Sequence, residues 1–466
     1  MKLKITGKEL RKLGYPESPV IAVAIDVLQK NYKYHTLQDV LQLAKQVLDA
    51  PEDYLDHTIL AKIATRLVEP PKPIQTEISL NKDGITFNTF GAEHIEQGAF
   101  HQMYQAAKLP ISVAGALMPD AHQGYGLPIG GVLATRNAVI PYGVGVDIGC
   151  RMCLSVYDLP VKDLQHRSHF FEKAIDDSTL FGSGAQFKQA EDHAIMEDSL
   201  FYEVPLLKNL HARAWKQLGS SGSGNHFVEF GIVHIDAYDT MLQLEPGEYL
   251  GLLSHSGSRA LGANIAQHYT KIARSKCRLP KEASHLAWLH LDDDDGITYW
   301  LAMNLAGNYA SACHEVIHNR ITKLLGRKPL QRVENHHNFA WKEMYNGEEL
   351  IVHRKGATPA AENVLGIIPG SMTAKGYIVK GKGEVASISS ASHGAGRKMS
   401  RSQAMQSISQ KAMKDELRKH GVILSGGGLD EAPFAYKDID VVMQSQQHLV
   451  DVVGGFSPKI VRMAGD

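Results

Sequence analysis

Three prolines within four residues, at positions 70, 71 and 73, divide this chain of 466 residues into two parts of different character. Proline lacks a backbone N–H and has a fixed φ, so this segment cannot continue a helix or an inner strand. Before it, apolar residues recur at helical spacing over residues 37–48. We therefore expect a small helical N-terminal module over residues 1–68, a linker over residues 69–76 and one larger domain over residues 77–466.

The larger domain alternates short strand-like runs with helices and glycine-rich turns. Residues 249–254 have the composition of a buried strand, which ends near His255. Residues 304–325 and 400–420 have the apolar spacing of helices. Many of the 42 glycines fall in loops beside His, Asp and Ser residues. Because loops on a rigid scaffold usually carry functional residues, these turns are the first place to look for a site.

Charge and cysteine content exclude several classes of protein. The net charge is −1, so any nucleic-acid contact has to come from a local basic patch. The longest apolar run, residues 109–118, is too short to span a membrane, and four scattered cysteines do not make a disulfide framework. We expect a cytoplasmic protein without a membrane segment. The 23 histidines raise the expectation of metal or acid–base chemistry.

Five short segments, most of them glycine-rich turns, carry a metal-capable or nucleophilic side chain. They are residues 145–150, 222–229, 254–259, 336–338 and 392–397. Taken singly, each has an ordinary explanation, since Asp147 could cap a turn and His226 could be a core histidine. Together the segments supply one carboxylate, one thiol and several imidazoles. That set suits manganese, zinc or cobalt better than calcium or magnesium alone.

In this order, the five segments closely resemble those of the RtcB RNA ligases. Further segments that carry the resemblance are residues 118–126, 352–358, 368–372 and 431–438. The similarity runs from about residue 85 to the C-terminus. It implies an α+β fold in which mixed and antiparallel sheets pack around a central metal cleft, with helices outside. It also implies a GTP- and manganese-dependent RNA ligase, acting in RNA repair or tRNA splicing.

The resemblance implies two manganese ions that share a sulfur ligand. Asp147, Cys150 and His226 would hold one ion, and Cys150, His255 and His337 would hold the other. The bridging cysteine must be a thiolate, which two divalent cations would keep deprotonated.

His393 is the implied nucleophile, which would attack the GTP α-phosphate and carry GMP as a phosphoramidate. The implied substrates are RNA 3′-phosphate or 2′,3′-cyclic phosphate ends and 5′-hydroxyl ends, and a partner protein that activates the enzyme or releases RNA is left open. If residues 225–230 form a strand, Asn225 and Glu229 lie on one face, which would contact guanylate. His226 lies on the other face, from which it would reach metal. The implied nucleotide-binding residues are Asn225, His226, Glu229, Ser371, Met372, His393, Gly394, Gly396 and Tyr436.

Four basic residues are candidates for phosphate contacts. For each of them an ordinary solvated basic face is an equal alternative. The phosphate candidates are Arg354, Lys355, Arg397 and Arg401.

Two positions depart from the family pattern. Relatives end in a Lys-Gly pair whose lysine contacts guanine, and here Met463 or Ala464 replaces that lysine. Arg151 follows the bridging cysteine where glycine is usual.

Three rival interpretations remain at this stage. Residues 314–318, His-Glu-Val-Ile-His, match the helical zinc-peptidase pattern, in which two histidines bind zinc and the glutamate acts as base. Cys150 and Cys153 fit a redox or zinc pair, although no second pair accompanies them. The third alternative is an RNA-binding relative that has lost catalysis.

Overall fold

The computed structural model describes residues 3–16, 19–68 and 78–465. The predicted linker, residues 69–76, lies outside the described residues. The α-helices are α1 Gly7–Leu13, α2 Val20–Asn31, α3 Leu37–Asp49, α4 Ala61–Val68, α5 Gln97–Ala107, α6 Asp163–His166, α7 Ser168–Ser178, α8 Leu200–Glu203, α9 Pro205–Gln217, α10 Arg259–Lys276, α11 Asp294–Leu325, α12 Arg401–Ser407, α13 Gln410–His420 and α14 Ile439–Gln444.

The strands belong to two larger sheets and two short pairs. They are β1 Phe87–Thr89, β2 Ser112–His122, β3 Ile129–Thr135, β4 Ala138–Val139, β5 Arg151–Tyr157, β6 Phe227–Ile235, β7 Gly247–Ser256, β8 Leu289–His290, β9 Gln331–His336, β10 Asn338–Tyr345, β11 Glu348–Lys355, β12 Ala357–Pro359, β13 Leu365–Ile368, β14 Gly376–Gly381, β15 Ser390–Ser392, β16 Ile423–Ser425 and β17 Val450–Met463.

Helices α1 to α4 form the N-terminal part, and local signals explain their ends. At α1, Thr6 and Glu9 make a reciprocal capping box, and Gly14 closes the helix in the left-handed region at φ 102°. These helices share one apolar core, which Ile297 of α11 joins. The residues before the proline segment are therefore helical as predicted, while the domain boundary itself stays a prediction.

An eight-stranded sheet forms the centre of the larger part. Its order is β13-β14-β17-β6-β7-β5-β9, with β16 paired to β17. A five-stranded sheet has the order β1-β2-β3-β11-β10. Neighbouring strands are antiparallel except for β1 with β2 and β16 with β17. The predicted α+β class, with mixed and antiparallel sheets and outer helices, is confirmed.

Apolar side chains fill both faces of the eight-stranded sheet. On one face Phe230 and Leu252 pack with Phe171 of α7 and Ile317 of α11. On the other face Met152 and Phe456 belong to a separate core cluster. Because both faces are covered by apolar side chains, we expect the polar side chains of a functional site at the strand ends and in the loops that follow them.

Two predicted helices differ in extent from the observed ones. The helix expected over residues 304–325 begins ten residues earlier, at Asp294, because buried side chains continue its apolar face through Ile297, Tyr299 and Met303. The helix expected over residues 400–420 is two helices, since Ser409 accepts a hydrogen bond from Ala412 N–H and starts α13 anew. The predicted strand 249–254 is confirmed within β7. In the part of the chain that the structure describes, no helix combines the length and apolar character needed to cross a membrane.

Candidate active site

Four adjacent strands bring the predicted metal ligands to one edge of the eight-stranded sheet. In the order β6-β7-β5-β9 neighbours are antiparallel, so the start of one strand lies beside the end of the next. His226 directly precedes β6, His255 lies near the end of β7, Cys150 directly precedes β5 and His337 directly follows β9. The sheet topology therefore makes neighbours of residues that lie far apart in the sequence.

The ligand atoms of these residues converge. Cys150 Sγ lies 3.4 Å from His226 Nε2 and 3.2 Å from His255 Nε2. His255 Nε2 lies 3.2 Å from His337 Nε2, and His226 Nε2 lies 3.0 Å from Asp147 Oδ2. The two predicted ligand sets each lie within 4.8 Å, and Cys150 belongs to both.

The backbone around the ligands holds two of them in place. Asn225 O accepts a hydrogen bond at 2.9 Å from His255 Nδ1, which leaves the lone pair on Nε2 facing Cys150. Gly257 lies against the Asp147 carboxylate, because a Cβ at this position would be only 2.2 Å from either carboxylate oxygen. A side chain at residue 257 would therefore displace a metal ligand.

The electrostatics of the buried cluster suit a divalent metal. Burial lowers the pKa of His255 to about 3, and it lowers the pKa of His337 far below its ordinary value. Both imidazoles are therefore neutral and keep a lone pair for coordination. Burial raises the pKa of Cys150 well above its usual range, and Asp147 raises it further. A thiolate there needs a neighbouring cation, which a metal held by this donor set would supply.

His393 follows β15 and is anchored by a buried carboxylate. Asp120 Oδ2 accepts hydrogen bonds from His393 Nδ1 at 2.7 Å, from the His393 N–H at 3.1 Å and from the Gly394 N–H at 3.3 Å. Burial alone would raise the pKa of Asp120, but His393 and Lys437 outweigh it and lower the pKa. The carboxylate fixes the proton on Nδ1 and leaves the Nε2 lone pair unprotonated. The His393 ring centroid lies 5.0 Å from that of His337.

Asp120, which orients the His393 ring, was not among the site residues predicted from the sequence. It lies in the segment 118–126, which carried part of the resemblance. The signal that could have identified it is an acidic residue within an apolar strand, because a buried carboxylate needs a partner. Asp120 is completely buried, and His393 is that partner.

The remaining predicted nucleotide residues line a single cleft of about 310 Å³ beside His393. His226 is the exception, since it points toward the metal ligands instead. Glu229 is buried to 4% exposure in this cleft, and burial raises the pKa of its carboxyl well above its ordinary value. The predicted residues in the lining are Asn225, Glu229, Ser371, Met372, His393, Gly394, Gly396, Arg397, Arg401 and Tyr436.

Two of the four predicted phosphate-binding residues lie at this cleft. Arg397 stacks over the Tyr436 ring with 5.3 Å to its centroid, and Arg397 Nη1 lies 3.3 Å from Glu431 Oε2. Arg401 pairs with Glu431 at 2.5 Å and keeps about half of its side chain exposed. The Tyr436 hydroxyl donates to the same Glu431 carboxylate. Glu431, which the sequence analysis did not single out, holds both arginines and the tyrosine in place.

The other two basic residues do not lie where a phosphate could reach them. Arg354 is completely buried, and it makes a bidentate ion pair with Glu343 at 2.7 and 2.9 Å. Its Nε also donates to Ser390 Oγ at 2.7 Å, so the phosphate assignment of Arg354 is wrong and the residue joins β11 to its neighbours. Lys355 is 7% exposed, and its Nζ donates to the carbonyl oxygens of Tyr125 and Leu127. Burial lowers the pKa of Lys355 to about 7.

The peptidase-like motif lies in the middle of α11 and lacks the geometry of a peptidase. His314 and His318 are fully buried against the sheet. The Glu315 side chain, which would have to act as the base, is 53% exposed and faces His193 at 3.4 Å. The glutamate and the two histidines therefore lie on different sides of the helix, and this motif builds no zinc-peptidase centre.

The two histidines instead belong to a buried hydrogen-bonded chain. Ser155 Oγ lies 2.8 Å from His318 Nδ1, and Ser254 Oγ lies 2.8 Å from His318 Nε2 and 2.6 Å from His314 Nδ1. His314 Nε2 donates to the Ser256 carbonyl at 3.2 Å. Burial lowers the pKa of His314 to about 4 and that of His318 well below its ordinary value, so both rings are neutral.

Cys153 does not act as a redox partner of Cys150. Both sulfurs are free thiols, and they belong to different clusters. The Cys150 sulfur lies among the candidate metal ligands Asp147, His226, His255 and His337, whereas the Cys153 sulfur lies within 4.8 Å of His314 and His318 nitrogens in the sheet interior. Those imidazole nitrogens bond to hydroxyl and carbonyl oxygens, which accounts for them without a metal.

Comparison with known proteins places this arrangement in a family. A family model described as tRNA-splicing ligase RtcB matches residues 102–204 and 181–464. The RNA-splicing ligase RtcB of Escherichia coli strain K12 is 33% identical over 392 residues, which cover 77% of this chain and 92% of that protein. The tRNA-splicing ligase RtcB of Nanoarchaeum equitans is 30% identical over 418 residues, covering 74% and 87%.

A mycobacterial relative extends the similarity over nearly its whole length. The RNA-splicing ligase RtcB of Mycobacterium tuberculosis strain H37Rv is 31% identical over 429 residues, covering 78% of this chain and 98% of that protein. The matched region contains the four strand ends and the cleft described above. The chain therefore belongs to the RtcB family.

Proposed function

We propose that this protein is a GTP- and manganese-dependent RNA ligase. It joins RNA 3′-phosphate or 2′,3′-cyclic phosphate ends to 5′-hydroxyl ends through a histidine–GMP intermediate, in RNA repair or tRNA splicing. The observation that carries the proposal is His393, oriented by Asp120, with its ring centroid 5.0 Å from that of His337 in one of two adjoining sets of candidate metal ligands. The similarity to proteins named RNA- and tRNA-splicing ligases supports RNA as the substrate.

The donor set fits two manganese ions: Asp147, Cys150 and His226 would hold one, and Cys150, His255 and His337 would hold the other. Bound there, the ions would hold the thiolate and draw negative charge from the phosphate groups that react. The intact ligand set also argues against an RNA-binding relative that has lost catalysis.

His393 begins the reaction as a neutral nucleophile. The lone pair of Nε2 attacks the α-phosphorus of GTP, a P–N bond forms and pyrophosphate leaves. The imidazole then carries a positive charge with its proton on Nδ1, where Asp120 accepts the hydrogen bond at 2.7 Å. Asp120 thus stabilises the charge that develops on the ring.

GMP next passes to the RNA. An oxygen of the RNA 3′-phosphate attacks the phosphorus, the P–N bond breaks and the electron pair returns to His393 Nε2. The 5′-hydroxyl then attacks the phosphorus of the activated 3′-phosphate and loses its proton to solvent. The phosphoanhydride bond breaks, and GMP leaves as the strand is sealed. A 2′,3′-cyclic phosphate is first opened by hydrolysis to the 3′-phosphate.

Glu229 gives the cleft a means of recognising guanine. An ionised carboxylate only accepts hydrogen bonds, and guanine presents two neighbouring N–H donors, at N1 and N2. Adenine offers an acceptor at N1, so it cannot satisfy the same carboxylate. Burial raises the pKa of Glu229, and two donors from the base would favour the charged form.

Labelling of the protein with GTP tests this proposal. Incubation with manganese and α-labelled GTP should give a covalently labelled protein, whose P–N bond withstands alkali and breaks in acid. His393→Ala should take no label and should not seal a 3′-phosphate end. It should still join an RNA prepared with a 3′-guanylylated end to a 5′-hydroxyl, because the metal ligands remain. Label that persists in His393→Ala, or that maps to a lysine, would contradict the proposal.

A further inference from the structure

We propose that Tyr125, Tyr142 and His285 form a stacking platform for unpaired RNA bases next to the ends that are joined. This inference rests on the proposed function, since it takes RNA as the substrate. It assigns a substrate-binding surface outside the cleft that holds His393.

The three rings are neighbours, with Tyr125 exposed and Tyr142 and His285 half-buried. Tyr125, in the turn between β2 and β3, is 67% exposed. Its ring centroid lies 5.8 Å from that of His285, and the Tyr142 centroid lies 4.9 Å from the same imidazole. Burial, Arg274 and Lys355 lower the pKa of His285, so its ring is neutral. The platform is therefore a row of uncharged aromatic faces.

The loop that carries Tyr125 connects the platform directly to the cleft. His122 and Ile129, which flank this loop, both line the cleft beside His393. Tyr125 is three and four residues from them, so the separation is at most about 14 Å for an extended chain. A strand whose 3′ end lies at His393 would thus pass the platform within its last few nucleotides.

The loop is anchored in this position. The Lys355 ammonium donates to the carbonyl oxygens of Tyr125 and Leu127 and lies 5.1 Å from the Tyr142 ring centroid. Gly126 adopts φ +71°, and a Cβ there would lie 3.0 Å from the Cβ of His285. Glycine avoids both the strain of this φ and the tight contact with His285. Lys355, predicted as a phosphate contact, instead holds the platform.

A cation beside the platform suits the sugar-phosphate backbone. Arg274 is exposed, and Ser284 holds its guanidinium next to His285 through contacts of 3.1 Å to the carbonyl oxygen and 2.8 Å to the hydroxyl. An aromatic row with a neighbouring arginine is the usual composition of single-strand RNA sites. The chain has a net charge of −1, so such local groups have to supply the RNA contacts.

The test measures joining of single-stranded RNA ends by Tyr125→Ala and Tyr125→Phe. We expect Tyr125→Ala to raise the KM for RNA about 5- to 150-fold, the range for loss of one stacked base. Tyr125→Phe keeps the ring face and should stay within a few-fold of wild type. The matched control is Tyr34→Ala, which removes an 87% exposed tyrosine from the turn between α2 and α3 and should leave the KM for RNA unchanged. Labelling with GTP, which needs no RNA, should be the same in all four proteins.

An abasic substrate identifies the group that stacks. The KM of the wild-type enzyme should rise as much on an RNA with an abasic nucleotide near the joined end as the KM of Tyr125→Ala rises on intact RNA. Combining the variant with the abasic RNA should raise the KM no further. The proposal would be overturned if Tyr125→Ala left the KM unchanged, or if the effects of the variant and of the abasic nucleotide on the KM multiplied at every abasic position. A protein partner would then be the occupant of this surface. Direct binding of single-stranded RNA to Tyr125→Ala and wild type tests the platform even if no joining is observed. Failure of wild type to take label would instead count against the proposed function.

Discussion

At the scale of single residues, the site depends on which nitrogen of each imidazole is already hydrogen-bonded. Nδ1 of His255 is held by the Asn225 carbonyl, and Nδ1 of His393 is held by Asp120. In both residues the lone pair is therefore on Nε2, toward the cleft. The same residue type in α11 has both nitrogens engaged, so His314 and His318 have no lone pair to offer.

Replacing Asp120 with asparagine should slow guanylylation of His393 by roughly 10² or more. An amide can offer an N–H to Nδ1 and favour the wrong tautomer, and it cannot stabilise the imidazolium that forms. Because Asp120 is not among the metal ligands, metal content should be unchanged. The measurement is the rate of labelling by α-labelled GTP, with metal analysis of the same sample. A wild-type rate would show that Asp120 only supports the fold.

The altered C-terminus gives a prediction about nucleotide choice. Met463 lines the cleft, whereas Ala464 accepts a backbone hydrogen bond from Gly427 at 2.8 Å. Met463 is thus the better position for the lysine that relatives use to contact guanine. Met463→Lys should raise the preference for GTP over ATP by about ten- to a hundredfold, since a charged hydrogen bond to a base is worth roughly 1.5–3 kcal/mol. Equal preference in both forms would assign base recognition to Glu229 alone, which Glu229→Gln would then test.

At the scale of elements, strand direction and one long helix decide what the histidine-rich segments do. The order β6-β7-β5-β9 places alternating starts and ends at one sheet edge, which collects Cys150, His226, His255 and His337. Helix α11 crosses the same sheet and buries its two histidines against Ser155 and Ser254. One set of imidazoles therefore faces a cleft, and the other stabilises the contact between helix and sheet.

Variants of α11 separate these two roles. Glu315→Gln should leave RNA joining within a few-fold of wild type, because its side chain is half exposed and away from the cleft. His318→Leu should lower the free energy of unfolding by about 1–3 kcal/mol, since it strands the hydroxyls of Ser155 and Ser254. Denaturant titration measures the second effect. If Glu315→Gln abolished activity while His393→Ala did not, the peptidase interpretation would have to be restored.

At the scale of the whole molecule, metal binding should be coupled to stability. Four elements of the central sheet contribute ligands, so an ion that binds only the folded state stabilises all of them together. Manganese at a hundred times its dissociation constant should add about 2.7 kcal/mol to the free energy of unfolding and raise Tm. Cys150→Ala should lose this shift, its bound metal and ligation.

Cys277→Ala is the matched control for that experiment. Cys277 is also buried and free, but it lies at the end of α10 in the apolar core. Its loss should cost about 1–2 kcal/mol and leave the manganese-dependent rise in Tm intact. A Cys150→Ala protein with full metal content would refute the shared-sulfur arrangement.

Local patterns in the sequence predicted much of the secondary structure and the residue types of the candidate site. The proline segment marked the end of the N-terminal helices, and β7 was predicted from its apolar run. The predictions missed the helix start at Asp294 and the break at Ser409, because burial and capping, rather than apolar spacing alone, decide where a helix starts. The resemblance of ordered short segments predicted which side chains would be metal ligands and which the nucleophile, and the structure brings those side chains together.

Only the tertiary structure decided which polar residues lie at the candidate site and which are buried in structural contacts. Cys150 and His255 are 105 positions apart, and they meet only because β5 pairs with β7. Arg354 was assigned to phosphate from its charge, but the fold buries it on Glu343. Asp120 became a positioning residue through a contact 273 positions away. Residue type determines what a side chain can do, whereas strand pairing over long separations determines its neighbours, and no local pattern encodes that pairing.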